Sequence, residues 1–89
     1  MPSISRFFGI VISMYFLDRG KHSAPHFHAR YAGYEASIAI ADGALLAGVL
    51  PPRQMKLVAA WVEIHRDELM QNWEICVQGR QPFTIHPLR

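Results

Sequence analysis

From Arg6 to Leu17 nearly every position is apolar, and the run is rich in aromatic and β-branched residues. That pattern predicts a strand covered on both faces, with Gly9 as a bulge or bend. Alternation puts Ile10, Ile12, Met14 and Phe16 on one face and Val11, Ser13 and Tyr15 on the other. A polar loop containing Gly20 and Pro25 follows. His26 to Tyr31 and Tyr34 to Ile40 then alternate around Ala32-Gly33, the pattern of a hairpin with a two-residue turn. Its register sets Tyr31 opposite Tyr34, Arg30 opposite Glu35, His28 opposite Ser37 and His26 opposite Ala39. One hairpin face is Phe27, Ala29, Tyr31, Tyr34, Ala36, Ile38 and Ile40; the other carries His26, His28, Arg30, Glu35, Ser37 and Ala39. Asp42-Gly43 predicts a further turn, and Ala44 to Leu50 a short fourth strand.

Pro51-Pro52 opens a helical region, because proline is tolerated in a first helical turn. From Arg53 to Val77, Leu57, Trp61, Ile64, Leu69, Trp73 and Cys76 recur mostly three or four apart. The longer step from Ile64 to Leu69 slips the phase at His65-Arg66 and predicts a bend or a break there. Gly79 ends the helix, and Phe83 to Leu88 forms a tail running along the sheet. The whole chain, 1–89, reads as one α+β domain. A small antiparallel sheet of three or four strands fills its N-terminal half, packed by one long or two consecutive C-terminal helices.

Composition narrows the picture modestly. At 89 residues and 51% hydrophobic, the chain supports one modest core and is no disordered linker. The net charge of +2 is scattered, which permits an acidic or nucleic-acid partner without requiring one. Cys76 stands alone, so the expectation is a cytoplasmic protein without an internal disulfide. Phe7 to Leu17 is too short to span a bilayer as a helix and lacks the flanks of a signal peptide.

Chemistry concentrates around Pro25-His26-Phe27-His28. With His22 this gives H-x3-H-x-H, and alternate strand positions bring His26, His28 and Arg30 to one face. Imidazole nitrogens ligate zinc or nickel, so His22, His26 and His28 are candidate metal ligands. The same face serves acid–base chemistry, with His26, His28, Arg30, Glu35, His65 and Arg66 as candidate catalytic residues. A polar face with hydrogen-bonded histidines and no chemistry is the plain alternative. Arg53 and Lys56 stand in the first helical turns, where the helix dipole disfavours cations; a bound anion would offset that. Histidine-triad hydrolases need a third alternating histidine where this chain has Arg30, and the second HxT-type repeat of two-histidine phosphoesterases is absent.

Taken together, Met1-Pro2-Ser3-Ile4-Ser5, Phe8-Gly9-Ile10, Met14-Tyr15-Phe16, Pro25-His26-Phe27-His28, Gly33-Tyr34-Glu35, Leu50-Pro51, Trp61, His65, Glu68-Leu69, Asn72-Trp73 and Pro87-Leu88 form a recognisable set. The chain resembles the small bacterial proteins grouped as domain of unknown function 4160. The resemblance implies no established activity. It implies a neighbouring gene product of the domain of unknown function 2442 type as a partner, and with it a toxin–antitoxin arrangement. The family loop commonly reads Asp-His-x-Pro-Pro-His-Phe-His; here Lys21 replaces the acid and Ala24 the first proline.

These residues support three expectations. One is a toxin-like protein acting on RNA through the His/Arg sheet face. Another is a non-enzymatic interaction module, with a free sheet edge also suited to a homodimer. The third is a histidine-based metal protein. No membrane partner is expected.

Overall fold

A change of phase in the N-terminal run decides the topology. Phe7 and Ile10, of opposite parity, are both buried and pair with each other, so the chain reverses between them. The computed structural model, which describes residues 3–15 and 24–88, shows the reversal as a two-residue turn with both central residues left-handed, Phe8 at φ 50° and Gly9 at φ 79°. The run expected to be one strand with a bend at Gly9 is therefore a hairpin of β1 (Ser3–Phe7) and β2 (Ile10–Ser13). Gly9 suits the turn twice over, since the Tyr31 ring also lies where its side chain would project.

β3 (His26–Tyr31) and β4 (Tyr34–Ala39) form the expected hairpin across Ala32-Gly33, in the expected register at all four named pairs. β5 (Leu45–Gly48) follows the Asp42-Gly43 turn. The result is a five-stranded antiparallel meander in the order β1-β2-β3-β4-β5, one strand more than the upper expectation. Gly48 has φ 75°, and a Cβ there would collide with the Glu35 carbonyl oxygen, so this position closes the β4–β5 ladder only as glycine.

α1 (Pro52–Val77) covers one sheet face. It is a single helix, interrupted by non-helical angles at His65 (φ −114°, ψ 24°) where the phase slip predicts a bend. Its buried residues are Val58, Trp61, Val62, Leu69, Asn72 and Cys76; Ile64, expected on this stripe, is 64% exposed. Positions 58, 62, 65, 69, 72 and 76 step alternately by four and three, so the inward stripe passes through His65 and Asn72, and Ile64 falls just outside it. Gly79 terminates the helix: its amide reaches the Cys76 carbonyl at 2.9 Å and the Arg80 amide the Ile75 carbonyl at 3.0 Å, a Schellman motif.

Trp61, fully buried, is the centre of the core. Its ring packs on Phe7 (centroids 5.4 Å apart) and Phe27 (5.8 Å), and its Nε1 donates to the His86 carbonyl at 2.8 Å. The tail runs along β1 as expected, the Ile85 amide donating to the Ile4 carbonyl at 2.7 Å. Asn72 clamps it as well, donating from Nδ2 to the Phe83 carbonyl at 2.8 Å and accepting from the Phe83 amide at 2.9 Å. The edge at β1 is thus covered by the chain itself. No helix among the described residues is long and apolar enough to cross a membrane.

Asn72→Ala strips partners from two Phe83 backbone groups and is expected to cost about 2 kcal/mol. The melting temperature should fall by roughly 10 °C, and the Ile85 amide should exchange faster; both are read by thermal melts and hydrogen exchange.

Burial pushes the Cys76 thiol above its ordinary titration range. Above about pH 8.5 the unfolded chain sheds this proton while the folded chain retains it. This group's contribution is therefore complete below that pH and is lost as pH rises. Ellman's reagent should accordingly label the native protein far more slowly than the urea-unfolded chain.

Candidate functional site

Residues paired across an antiparallel ladder share a face, so the register lays out the uncovered side of the sheet in rows. One row, across β1 to β4, is Arg6, Val11, Arg30 and Glu35; the next, across β2 to β5, is Ser13, His28, Ser37 and Ala47. His26 and Ala39 pair beyond them.

The two histidines of this face have different surroundings. His26 is buried at 2% exposure, its ring 5.1 Å from that of Trp73 and its Nδ1 donating to the Ala24 carbonyl at 2.9 Å. That bond fixes the tautomer and orientation of the ring. His28, half-buried, stands 5.3 Å from His26 between centroids and meets the Tyr15 ring edge-on at 4.1 Å. Its Nδ1 lies 3.4 Å from the Ser37 hydroxyl and 3.8 Å from Glu35 Oε2. Both neighbours approach the same ring position. A nucleophile–base–carboxylate relay needs them on opposite nitrogens, so Ser37, His28 and Glu35 are not a serine triad. They form a carboxylate–imidazole pair with a hydroxyl alongside.

Arg30 is exposed one row away. The register sets it opposite Glu35 as expected, yet the carboxylate leans toward His28. Among the described residues neither Arg30 nor Arg6 has an ion-pair partner. A guanidinium without an ion-pair partner among the described residues, beside an imidazole–carboxylate pair, is suited to receiving an anion.

The remaining candidates lie elsewhere. His65 is on the core side: its ring is 5.6 Å from Trp61 and its Nδ1 donates to Glu68 Oε1 at 2.6 Å. Arg66, next to the bend, donates from Nε to the Ile40 carbonyl at 3.0 Å and from Nη2 to Glu63 Oε2 at 3.0 Å. It fastens α1 to the end of β4, and none of these bonds reaches His28. Arg53 and Lys56 are exposed at the start of α1, where Arg53 lines a shallow cleft of about 370 Å³ with Phe8 and Tyr31. Of the candidate metal set, His22 lies outside the described residues. Among the described residues no three His, Cys, Asp or Glu side chains are grouped to hold a metal ion.

Tyr15 and Arg6 are not among the catalytic, anion-binding or metal candidates that the sequence offers, although alternation with Val11 and Ser13 puts Tyr15 on the polar face. Arg6 becomes visible only once Phe8-Gly9 is recognised as a turn, which folds it back opposite Val11.

His26→Ala should open a cavity against Trp73 and lower stability by about 2–4 kcal/mol, whereas His28→Ala should cost under about 1 kcal/mol. Paired urea titrations check this difference between a fully buried histidine and a partly exposed one.

Comparison with known proteins is consistent with a family that carries no assigned activity. The family model described as Domain of unknown function (DUF4160) matches residues 9–74. No curated protein and no solved structure matches the chain.

Proposed function

The chain belongs to the domain of unknown function 4160 family, and we propose that it cleaves RNA at the outer sheet face, with His28 and Glu35 as the acid–base pair. The observation carrying this reading is the 3.8 Å approach of the His28 imidazole to the Glu35 carboxylate, with Arg30, which has no ion-pair partner among the described residues, directly across the ladder from Glu35. Glu35 takes the proton of the ribose 2′-hydroxyl as its oxygen attacks phosphorus. Protonated His28 gives a proton to the departing 5′-oxygen. The 2′-oxygen–phosphorus bond forms and the phosphorus–5′-oxygen bond breaks, leaving a 2′,3′-cyclic phosphate and a free 5′-hydroxyl. Arg30 balances the charge on the phosphorane oxygens. Tyr15 and His26 hold the His28 ring in place.

RNA suits such a site better than DNA because RNA carries its own nucleophile, and here the site need supply only proton transfer and positive charge. Within the two-gene arrangement the family suggests, this activity would make the chain the toxin and the neighbouring product its restraint.

A second reading, a binding module without chemistry, is favoured by β5. Residues 43–52 carry no charge, and Leu45 and Val49 are 46% and 55% exposed. Such an edge can add a partner's strand.

The first reading predicts that the purified protein cleaves a ribodinucleotide to a 2′,3′-cyclic phosphate. His28→Ala should reduce the rate by about 10²-fold or more, and Glu35→Gln similarly. Absence of cleavage, or a rate unchanged in both variants, overturns it in favour of the binding module.

A further inference from the structure

Phe8 is the least expected residue of the turn it occupies. Two-residue turns of this kind favour asparagine, aspartate or glycine at their left-handed positions, whereas Phe8 sits there at φ 50° with a bulky side chain. Burial does not offset the steric cost, since Phe8 is 58% exposed. Neither packing nor turn chemistry within the chain accounts for a strained and exposed aromatic at this position.

The surroundings of Phe8 are aromatic and cationic. In a meander the β1–β2 and β3–β4 turns lie at the same end of the sheet, and Phe8 lines a cleft with Tyr31, the ladder partner of Tyr34. Tyr31 stands against Gly9, and Tyr34 is 45% exposed although alternation assigns it to the apolar face. Two clefts meet at Tyr31: one, of about 340 Å³, includes Arg30 and Tyr34; the other holds Phe8 and Arg53. Arg6 joins Arg30 in the row leading across the sheet. Among the described residues none of these three guanidiniums has an ion-pair partner.

We infer that this turn end binds single-stranded RNA, with Phe8 and Tyr34 stacking bases, Arg6 and Arg30 holding phosphates in the row next to His28, and Arg53 holding one at the start of α1. The choice of RNA rests on the reading above; the platform itself rests on Phe8 and the arginines. Aromatic faces next to a cationic track are what unpaired bases on a charged backbone require, and guanidinium matches phosphate geometry. A membrane surface fits less well, because Arg6 and Arg30 extend along the sheet face and Glu35 stands among them.

The test is fluorescence anisotropy with a labelled uridine-rich RNA of about ten nucleotides, using the full chain carrying His28→Ala so that nothing is cleaved. Phe8→Asn suits the turn and should melt no lower than its parent, yet bind about tenfold more weakly; Tyr34→Ala should weaken binding to a similar degree. Arg6→Gln should lessen the dependence of log K on log salt by about 0.7. Failure of the parent to bind, unchanged affinity in both aromatic variants, or binding to anionic vesicles in place of RNA overturns the inference. Ribodinucleotide cleavage is too local to involve the platform. Cleavage without oligonucleotide binding therefore defeats only the platform, and binding without cleavage defeats only the acid–base reading.

Discussion

The fold depends on one large side chain being enclosed from three directions. Trp61 lies against Phe7 of the first hairpin and Phe27 of the second, and donates to the His86 carbonyl of the tail. Fully burying an aromatic of this size contributes several kcal/mol only if its N–H finds an acceptor. The tail supplies that acceptor, and Asn72 secures the tail from the same helix. A domain of 89 residues has little core to spare, so both hairpins, the helix and the C-terminal segment are bound into one cooperative unit through this ring.

Concentrating apolar residues on one sheet face frees the other for chemistry. The pleat sends Phe27, Ala29, Ala36 and Ile38 toward α1, where they are almost completely buried, and sends Arg30, Glu35, His28 and Ser37 the opposite way. Antiparallel sheets tolerate one solvated face, so Arg30 and Glu35 stay exposed there, while Ser13 and His26 on the same face are buried. Rigidity in the strands gives the His28–Glu35 pair its fixed separation without any dedicated loop. The turns that carry Phe8, Tyr31 and Tyr34 lie at one end of the same sheet.

The bend at His65 shows how the helix and sheet are fitted together. A straight helix would continue its hydrogen-bond ladder through this point; here the angles depart from helical values and Arg66 reaches the Ile40 carbonyl. His65 turns inward to Trp61 and is held by Glu68. The contacts of His65 thus stay within α1, whereas Arg66 ties α1 to the end of β4.

What the sequence determined by itself was local. Ala32-Gly33 specified the turn, and with it every partner in the β3–β4 ladder, because a two-residue connection leaves a single register. The phase slip after Ile64 located the bend, Gly79 the helix end, and i, i+2 spacing the common face of His26 and His28. The tertiary structure decided what depends on neighbours distant in sequence. His26 is buried with its ring against Trp73 while His28 keeps partial exposure, so two histidines identical in pattern differ in burial. Arg6 joins Arg30 only because Phe8-Gly9 reverses the chain, a turn disguised by an aromatic where asparagine or glycine is usual. Periodicity reports which way a side chain points from its own backbone; whether anything stands in front of it is set by packing between elements.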